Sequence, residues 1–247
     1  MKKKTQKVLL TLFTVLVALA AVIIVSVLYK PEEDNGIPKD TVDKNGTFNT
    51  DTPATVNGIK DININLGNGM YITNVGGYTG IYMEDGSDEL VTGVTMIIVE
   101  NTGKDDIQYA EILLPIGKEE AKFVLSTLPA GEKVVLLEKE RMGYSGESDC
   151  GSAIAQNVVI FDKPLDKMED QFEIQLLGGM MNVRNISGSD IRGNIVIYYK
   201  NSAADILYGG ITYRLTIEGG LAAGEVRQMP GSHISEKGSE VMFITVG

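Results

Sequence analysis

Val99-Glu100-Asn101-Thr102-Gly103-Lys104-Asp105-Asp106-Ile107 returns 84 residues later as Val183-Arg184-Asn185-Ile186-Ser187-Gly188-Ser189-Asp190-Ile191. The two stretches align without a gap and match at Val, Asn, Asp and Ile. A second pair follows in the same order. Leu128-Pro129-Ala130-Gly131-Glu132 and Leu221-Ala222-Ala223-Gly224-Glu225 share Leu, Ala, Gly and Glu, at an offset of 93. Two matched blocks in one order predict an internal repeat, and the strand-like runs around them predict an all-β chain of two sandwich domains of one type.

Each block has a physical reading. A strand ends at Val99 or Val183, and the Asn-Thr-Gly or Asn-Ile-Ser-Gly cluster supplies turn residues that tolerate positive φ. A second strand returns antiparallel. Leu-x-Ala-Gly-Glu makes a tight corner in which Leu caps the core, Gly bends the chain and Glu faces water. Outward from the blocks, strands are predicted at Val94–Val99, Tyr109–Leu114, Lys133–Glu138, Val158–Phe161, Phe172–Leu177, Ile195–Tyr199, Ile211–Ile217 and Val241–Val246. No segment past residue 30 sustains a helical period. Lys118–Leu125, free of Gly and Pro, is expected to form a helical turn or two.

With Val99-Glu100-Asn101-Thr102-Gly103 followed by Leu128-Pro129-Ala130-Gly131-Glu132, the chain resembles bacterial immunoglobulin-like surface domains of the CARDB-related type. The second copy is similar but departs, with Ile186-Ser187 for Thr-Gly and Ala222 for Pro. The resemblance covers about residues 90–140 and 175–246. It implies an immunoglobulin-like sandwich and does not select a function, because such domains serve adhesion, spacing and assembly alike.

The N-terminus sets the expected location. Residues 1–7 are a basic flank, and Val8 to Tyr29 run without a charge. As a helix these 22 residues extend about 33 Å, enough for a hydrocarbon core of about 30 Å. Ala18-Leu19-Ala20 has the form of a signal-peptidase site, but mostly apolar chain continues to Tyr29, so an uncleaved signal anchor is expected. Lys2, Lys3 and Lys4 place the N-terminus in the cytoplasm and the rest outside. Residues 30–55, with Pro31, Pro38 and Pro53 among polar residues, read as a flexible stalk. The expected organisation is thus flank 1–7, transmembrane anchor 8–29, stalk 30–55 and β-sandwich domains 56–148 and 149–247.

Charge narrows the partners. Five of the 22 basic residues lie in the first 30, where there is no acid, leaving 17 against 33 acids and a net of −16 for the remainder. Phosphate backbones would repel such a surface, which argues against nucleic acid; a cationic partner or divalent ions suit it better. Cys150 is the only cysteine, so no intrachain disulfide forms, a pattern that fits a bacterial exported protein.

Catalytic patterns fail. His233 is the sole histidine and reads as a surface-loop residue beside Ser232 and Ser235. Ser148, within Gly146-Glu147-Ser148-Asp149-Cys150-Gly151, and Ser145, within Gly143-Tyr144-Ser145-Gly146-Glu147, both miss the nucleophile-elbow spacing. One Cys and one His make a zinc site improbable. Glu84-Asp85-Gly86-Ser87-Asp88-Glu89 packs four acids around a turn, which leaves calcium open beside a solvated acidic loop. Gly67-Asn68-Gly69 and Gly76-Gly77 are expected to be hairpin turns. Tyr71, Tyr78, Tyr82, Tyr198, Tyr199, Tyr208 and Tyr213 form a candidate binding platform.

The sequence therefore predicts a single-pass plasma-membrane protein with an extracytoplasmic, non-enzymatic module that binds a protein partner or supports an envelope assembly. The alternative is a cell-wall or glycan-binding module. No catalytic, metal or cofactor residue is assigned.

Overall fold

The computed structural model describes residues 41–42, 48–49, 54–146, 149–177, 179–203, 206–231, 233–234 and 238–247. The predicted anchor, 8–29, lies outside these residues, as does most of the predicted stalk. Among the described residues the regular structure is all β, and no helix is long and apolar enough to cross a membrane.

Among the described residues fifteen strands follow in order. A short pair, β1 (Thr41–Val42) and β2 (Phe48–Asn49), falls within the stretch expected to be stalk. The first repeat holds β3 (Thr55–Gly67), β4 (Met70–Ile81), β5 (Leu90–Asn101), β6 (Ile107–Ile116), β7 (Glu119–Leu128), β8 (Lys133–Leu137) and β9 (Ile154–Ile160). The second holds β10 (Phe172–Leu177), β11 (Met180–Asn185), β12 (Ile195–Ala203), β13 (Ile206–Ile217), β14 (Val226–Pro230) and β15 (Ser239–Val246).

The repeat written in the sequence is a repeat of pairing. In the first copy β4-β5-β8 form one sheet and β7-β6-β9 the other; in the second, β10-β11-β14 form one and β13-β12-β15 the other. Each pair of sheets encloses its own apolar cluster. Ile72, Val99, Ile112 and Phe123 lie in the first, and Phe172, Val183, Ile197 and Ile244 in the second. The copies join edge to edge: β8 pairs parallel with β13 through Val134↔Leu207 and Val135↔Tyr208. The result is one seven-stranded sheet, β15-β12-β13-β8-β5-β4-β3, running through both.

The two blocks are one device built twice. Asn101 is buried; its Nδ2 donates to Asp105 O (2.9 Å) and Leu128 O (3.2 Å), and its Oδ1 accepts from Gly103 N (3.0 Å). Asn185, also buried, donates to Ser189 O (2.7 Å) and Leu221 O (3.0 Å) and accepts from Ser187 N (3.0 Å). Asp106 accepts from Ala130 N as Asp190 accepts from Ala223 N, at 2.9 and 3.0 Å. Each Asn thus ties its turn to its corner, where Gly131 and Gly224 take φ of 85° and 74°, a region open to glycine.

Several expectations change. Lys118–Leu125 is not helical: β7 occupies Glu119–Leu128, pairs with β6 and alternates Ala121, Phe123 and Leu125 into the core. Tertiary pairing overrides the local preference of Lys118-Glu119-Glu120. Gly67-Asn68-Gly69 is the β3–β4 hairpin, but Gly76-Gly77 lies inside β4, opposite Met96 and Thr95. A side chain at Gly76 would press on Val56 and Ile59 of β3, so close strand approach rather than turning explains it. β9 lies beyond residue 148 yet pairs with β6, so the first copy extends to Ile160.

β5 is buried on both faces. Thr95 to Val99 are all covered because a second apolar layer, including Tyr78, Tyr82, Met83 and Val135, caps the outer face of the sheet. That is why its sequence is a continuous apolar run rather than an alternation.

Candidate functional site

The chemically richest place is the junction of the copies. Beyond the two parallel pairs β8 and β13 no longer bond each other, and Glu84, from the loop after β4, bridges them. Its Oε1 accepts from Leu137 N (2.8 Å) and its Oε2 from Gly210 N (2.6 Å). Gly210 is required sterically: a Cβ there would collide with Val124 O.

Lys200 of β12 enters from the other side. Its Nζ donates to Ser126 O and Ile211 O, both at 2.9 Å, so it fastens β7 to β13. The Ser126 hydroxyl donates to Gly210 O and lies 2.9 Å from the Thr212 hydroxyl. Burial pushes the Glu84 carboxyl up to about 7, against the pull of its two backbone donors and of Lys200. Burial likewise brings the Lys200 ammonium down to about 7, with Glu84 opposing. A cavity of about 200 Å3 adjoins the cluster, lined by Glu84, Tyr109, Val124, Leu137, Lys139, Gly210 and Ile211.

Serine near a lysine of lowered basicity invites a nucleophilic reading. The geometry answers it. The Ser126 hydroxyl points at a carbonyl, and Lys200 donates to carbonyls as well. What the cluster does is satisfy buried polar groups that belong to both copies, which makes it a lock between them.

The rim of the lock is the acidic loop. Arg141 meets Asp85 at 3.0 Å and Glu89 at 2.5 Å, with its guanidinium 4.4 Å from the centre of the Tyr82 ring. Asp88 lies 3.3 Å from Nδ1 of His233, whose ring stacks on Tyr213 at 4.8 Å. Each acid considered as a calcium ligand therefore has a protein partner. Among the described residues no cluster of three or more His, Cys, Asp or Glu could hold a metal ion.

His233 is not a surface-loop residue: it is 8% exposed, at φ 62°, held by contacts from a loop 145 positions earlier in sequence. Sequence inspection had only its polar neighbours to go on. Cys150 is half-buried, packs against the first core, and has its thiol pushed up by burial. Ser148 is outside the described residues. None of the seven tyrosines is fully exposed. Tyr78, Tyr82 and Tyr199 are buried, Tyr71, Tyr198, Tyr208 and Tyr213 half-buried, and Tyr82 OH bonds Glu138 O and Lys139 O. They form no exposed platform.

Apart from Leu90 at the start of β5 and Ile186 in a turn, the exposed large aliphatic side chains lie on sheet edges. Ile154, Val159 and Ile160 stand out on β9, Leu177 on β10, Val226 on β14, Ile59 on β3 and Val246 on β15. All five are outermost strands of their sheets. An outermost strand also presents unpaired backbone groups, so apolar side chains there sit beside free hydrogen-bonding capacity. Lys200 and Ser126 were not singled out by sequence reasoning, and Glu84 was considered only as one acid of the candidate calcium loop. Lys200 carried a usable signal, a lysine ending the apolar run Ile195–Tyr199. No protein-family model, no curated protein and no solved structure matches this chain.

Proposed function

We propose that this chain is a membrane-anchored, extracytoplasmic binding or assembly module, non-enzymatic, with its two copies built as immunoglobulin-like sandwiches of the CARDB-related type. The observation that carries the binding reading is the concentration of exposed aliphatic side chains on the outermost strands β3, β9, β10, β14 and β15. Such edges recruit another polypeptide by adding a strand to the sheet, with the backbone supplying affinity and alternate side chains supplying selectivity. The buried titratable groups support the same view, being spent on joining the copies.

The placement rests on the apolar run Val8 to Tyr29 and its basic flank. The acidic remainder favours a partner with basic residues.

The test is crosslinking capture from intact cells with a tag after Gly247, combined with protease shaving. A stoichiometric protein partner, with the tag removed by external protease, is the expected result. A tag protected until the membrane is opened overturns the placement. Recovery of the chain alone, at crosslinker levels that capture known surface complexes, overturns the binding role.

A further inference from the structure

The two copies differ at one edge. In the first, β3 covers the outer edge of β4 and turns Ile62, Ile64 and Leu66 into the core. Beneath it Met70, Ile72 and Val75 are fully buried. Among the described residues the second copy has no strand in that place: β10, the counterpart of β4, is the end of its sheet.

The counterpart residues follow from the registers. Met70 faces Asn101 as Phe172 faces Asn185, Ile72 faces Val99 as Ile174 faces Val183, and Val75 faces Ile97 as Leu176 faces Met181. In the second copy Ile174 and Leu176 are only half-buried. With Phe172, and with Val241 of β15, they line an open groove of about 360 Å3 flanked by Lys167 and Glu169. The chain enters β10 through a turn in which Gln171 N and Phe172 N both bond Met168 O. Before that turn it runs against β15, where Ile244 N bonds Asp166 O, and among the described residues the edge of β10 is left uncovered.

We propose that this groove accepts a strand from a partner protein. The segment pairs antiparallel with β10, places aliphatic residues at three alternate positions, and carries a basic residue just after the last. The direction and alternation are those of β3 on β4, where Ile64 pairs with Ile72 and the strand's C-terminal end meets Met70. The basic residue follows from charge. At the rim Lys167 pairs with Glu240 and Arg184 with Glu173, while exposed Glu169 and Asp170 stand where the incoming strand would end. Half of the edge amides of β10 point outward and gain ladder partners, and the half-buried Ile174 and Leu176 become buried. This assignment rests on the binding reading above and names the partner's chemistry.

The test uses the full chain and a synthetic peptide with the sequence of residues 60–67 followed by two lysines. Amide hydrogen exchange is followed residue by residue. The expected result is about tenfold slower exchange at alternate amides of Glu173–Leu177 with saturating peptide, and no change at Met70–Val75. The effect disappears when the three aliphatic positions of the peptide are serine, or when its backbone is N-methylated on the pairing edge. E169K/D170K, a surface change that leaves the fold intact, weakens peptide binding about tenfold.

Protection confined to β9 or β3, or none anywhere, overturns the assignment. So does slow exchange at β10 that grows with protein concentration without peptide, because the occupant is then a second copy. Capture of a partner crosslinked to β9, with β10 unresponsive to peptide, overturns the assignment while leaving the binding role in place.

Discussion

Asn101 and Asn185 occupy the same place in the two copies and make the same bonds, whereas Ile72 and Ile174 occupy the same place and meet different surroundings. The Asn device lies wholly within each copy. Its donors and acceptors come from one turn and one corner, so repeating the sequence repeats the structure. Coverage of β4 or β10 depends on the chain that precedes the copy: a hairpin before one, a turn leading away to β15 before the other. What is local recurs, and what depends on neighbouring chain diverges.

The same contrast explains the junction. β8 and β14 are counterparts, but among the described residues only β8 has a second strand partner, the parallel edge of β13, and only there did a buried Glu84–Lys200 cluster develop. Its removal should have the largest effect. Lys200→Met takes a shared donor from the Ser126 and Ile211 carbonyls and should cost about 3–5 kcal/mol. Urea unfolding followed by residue-resolved exchange should then show the copies melting in separate steps. A single transition at an unchanged midpoint would mean that backbone pairing alone couples them.

Next come the two asparagines. Asn101→Ala and Asn185→Ala each orphan buried carbonyls and should each cost about 2–3 kcal/mol in chemical denaturation. A large loss at one and none at the other would show that the shared bonds are not equally important, and would undo the equivalence of the copies as mechanical units.

The uncovered edge should give a gap of about 2 kcal/mol. Ile72→Ala removes a fully buried side chain and should cost about 3 kcal/mol, whereas Ile174→Ala, in the open groove, should cost about 1 kcal/mol. Equal losses would mean that the groove is packed in solution.

The smallest effect is a dependence on pH. The Glu84 carboxyl is raised from 4.5 to about 7 in the folded chain. The native state therefore holds the proton more tightly, and this group's contribution falls as pH rises from 4.5 to 7. The Lys200 ammonium is lowered from 10.5 to about 7. Its contribution is lost as pH falls from 10.5 to 7. Stability should thus pass through a minimum near pH 7 that the E84Q/K200M double variant lacks. Melting temperatures measured across pH 4–10 should coincide in shape if the pair is not buried together.

Much of the fold was legible. The strands around the matched blocks, the corner glycines and the all-β character follow from turn residues and from runs of Val, Ile and Leu. β3 was missed although Ile62, Ile64 and Leu66 alternate, because the Asn, Asp, Lys and Gly between them mask the pattern. β7 was misread because its charged start favours a helix locally. The acidic loop was noticed for its charge, but its partners, Arg141, His233, Leu137 N and Gly210 N, lie about 50 to 145 residues away.

The amino-acid order alone specified two copies of one local device, since an Asn, a turn and a glycine corner close upon one another within about 40 residues through short-range bonds. It also specified an acidic body behind an apolar, basic-flanked N-terminus. Tertiary structure chose which edges meet. β8 joins β13, Glu84 and Lys200 become buried together, and β10 is left uncovered, because edge pairing depends on how two finished sheets approach, and no short stretch of sequence encodes that approach.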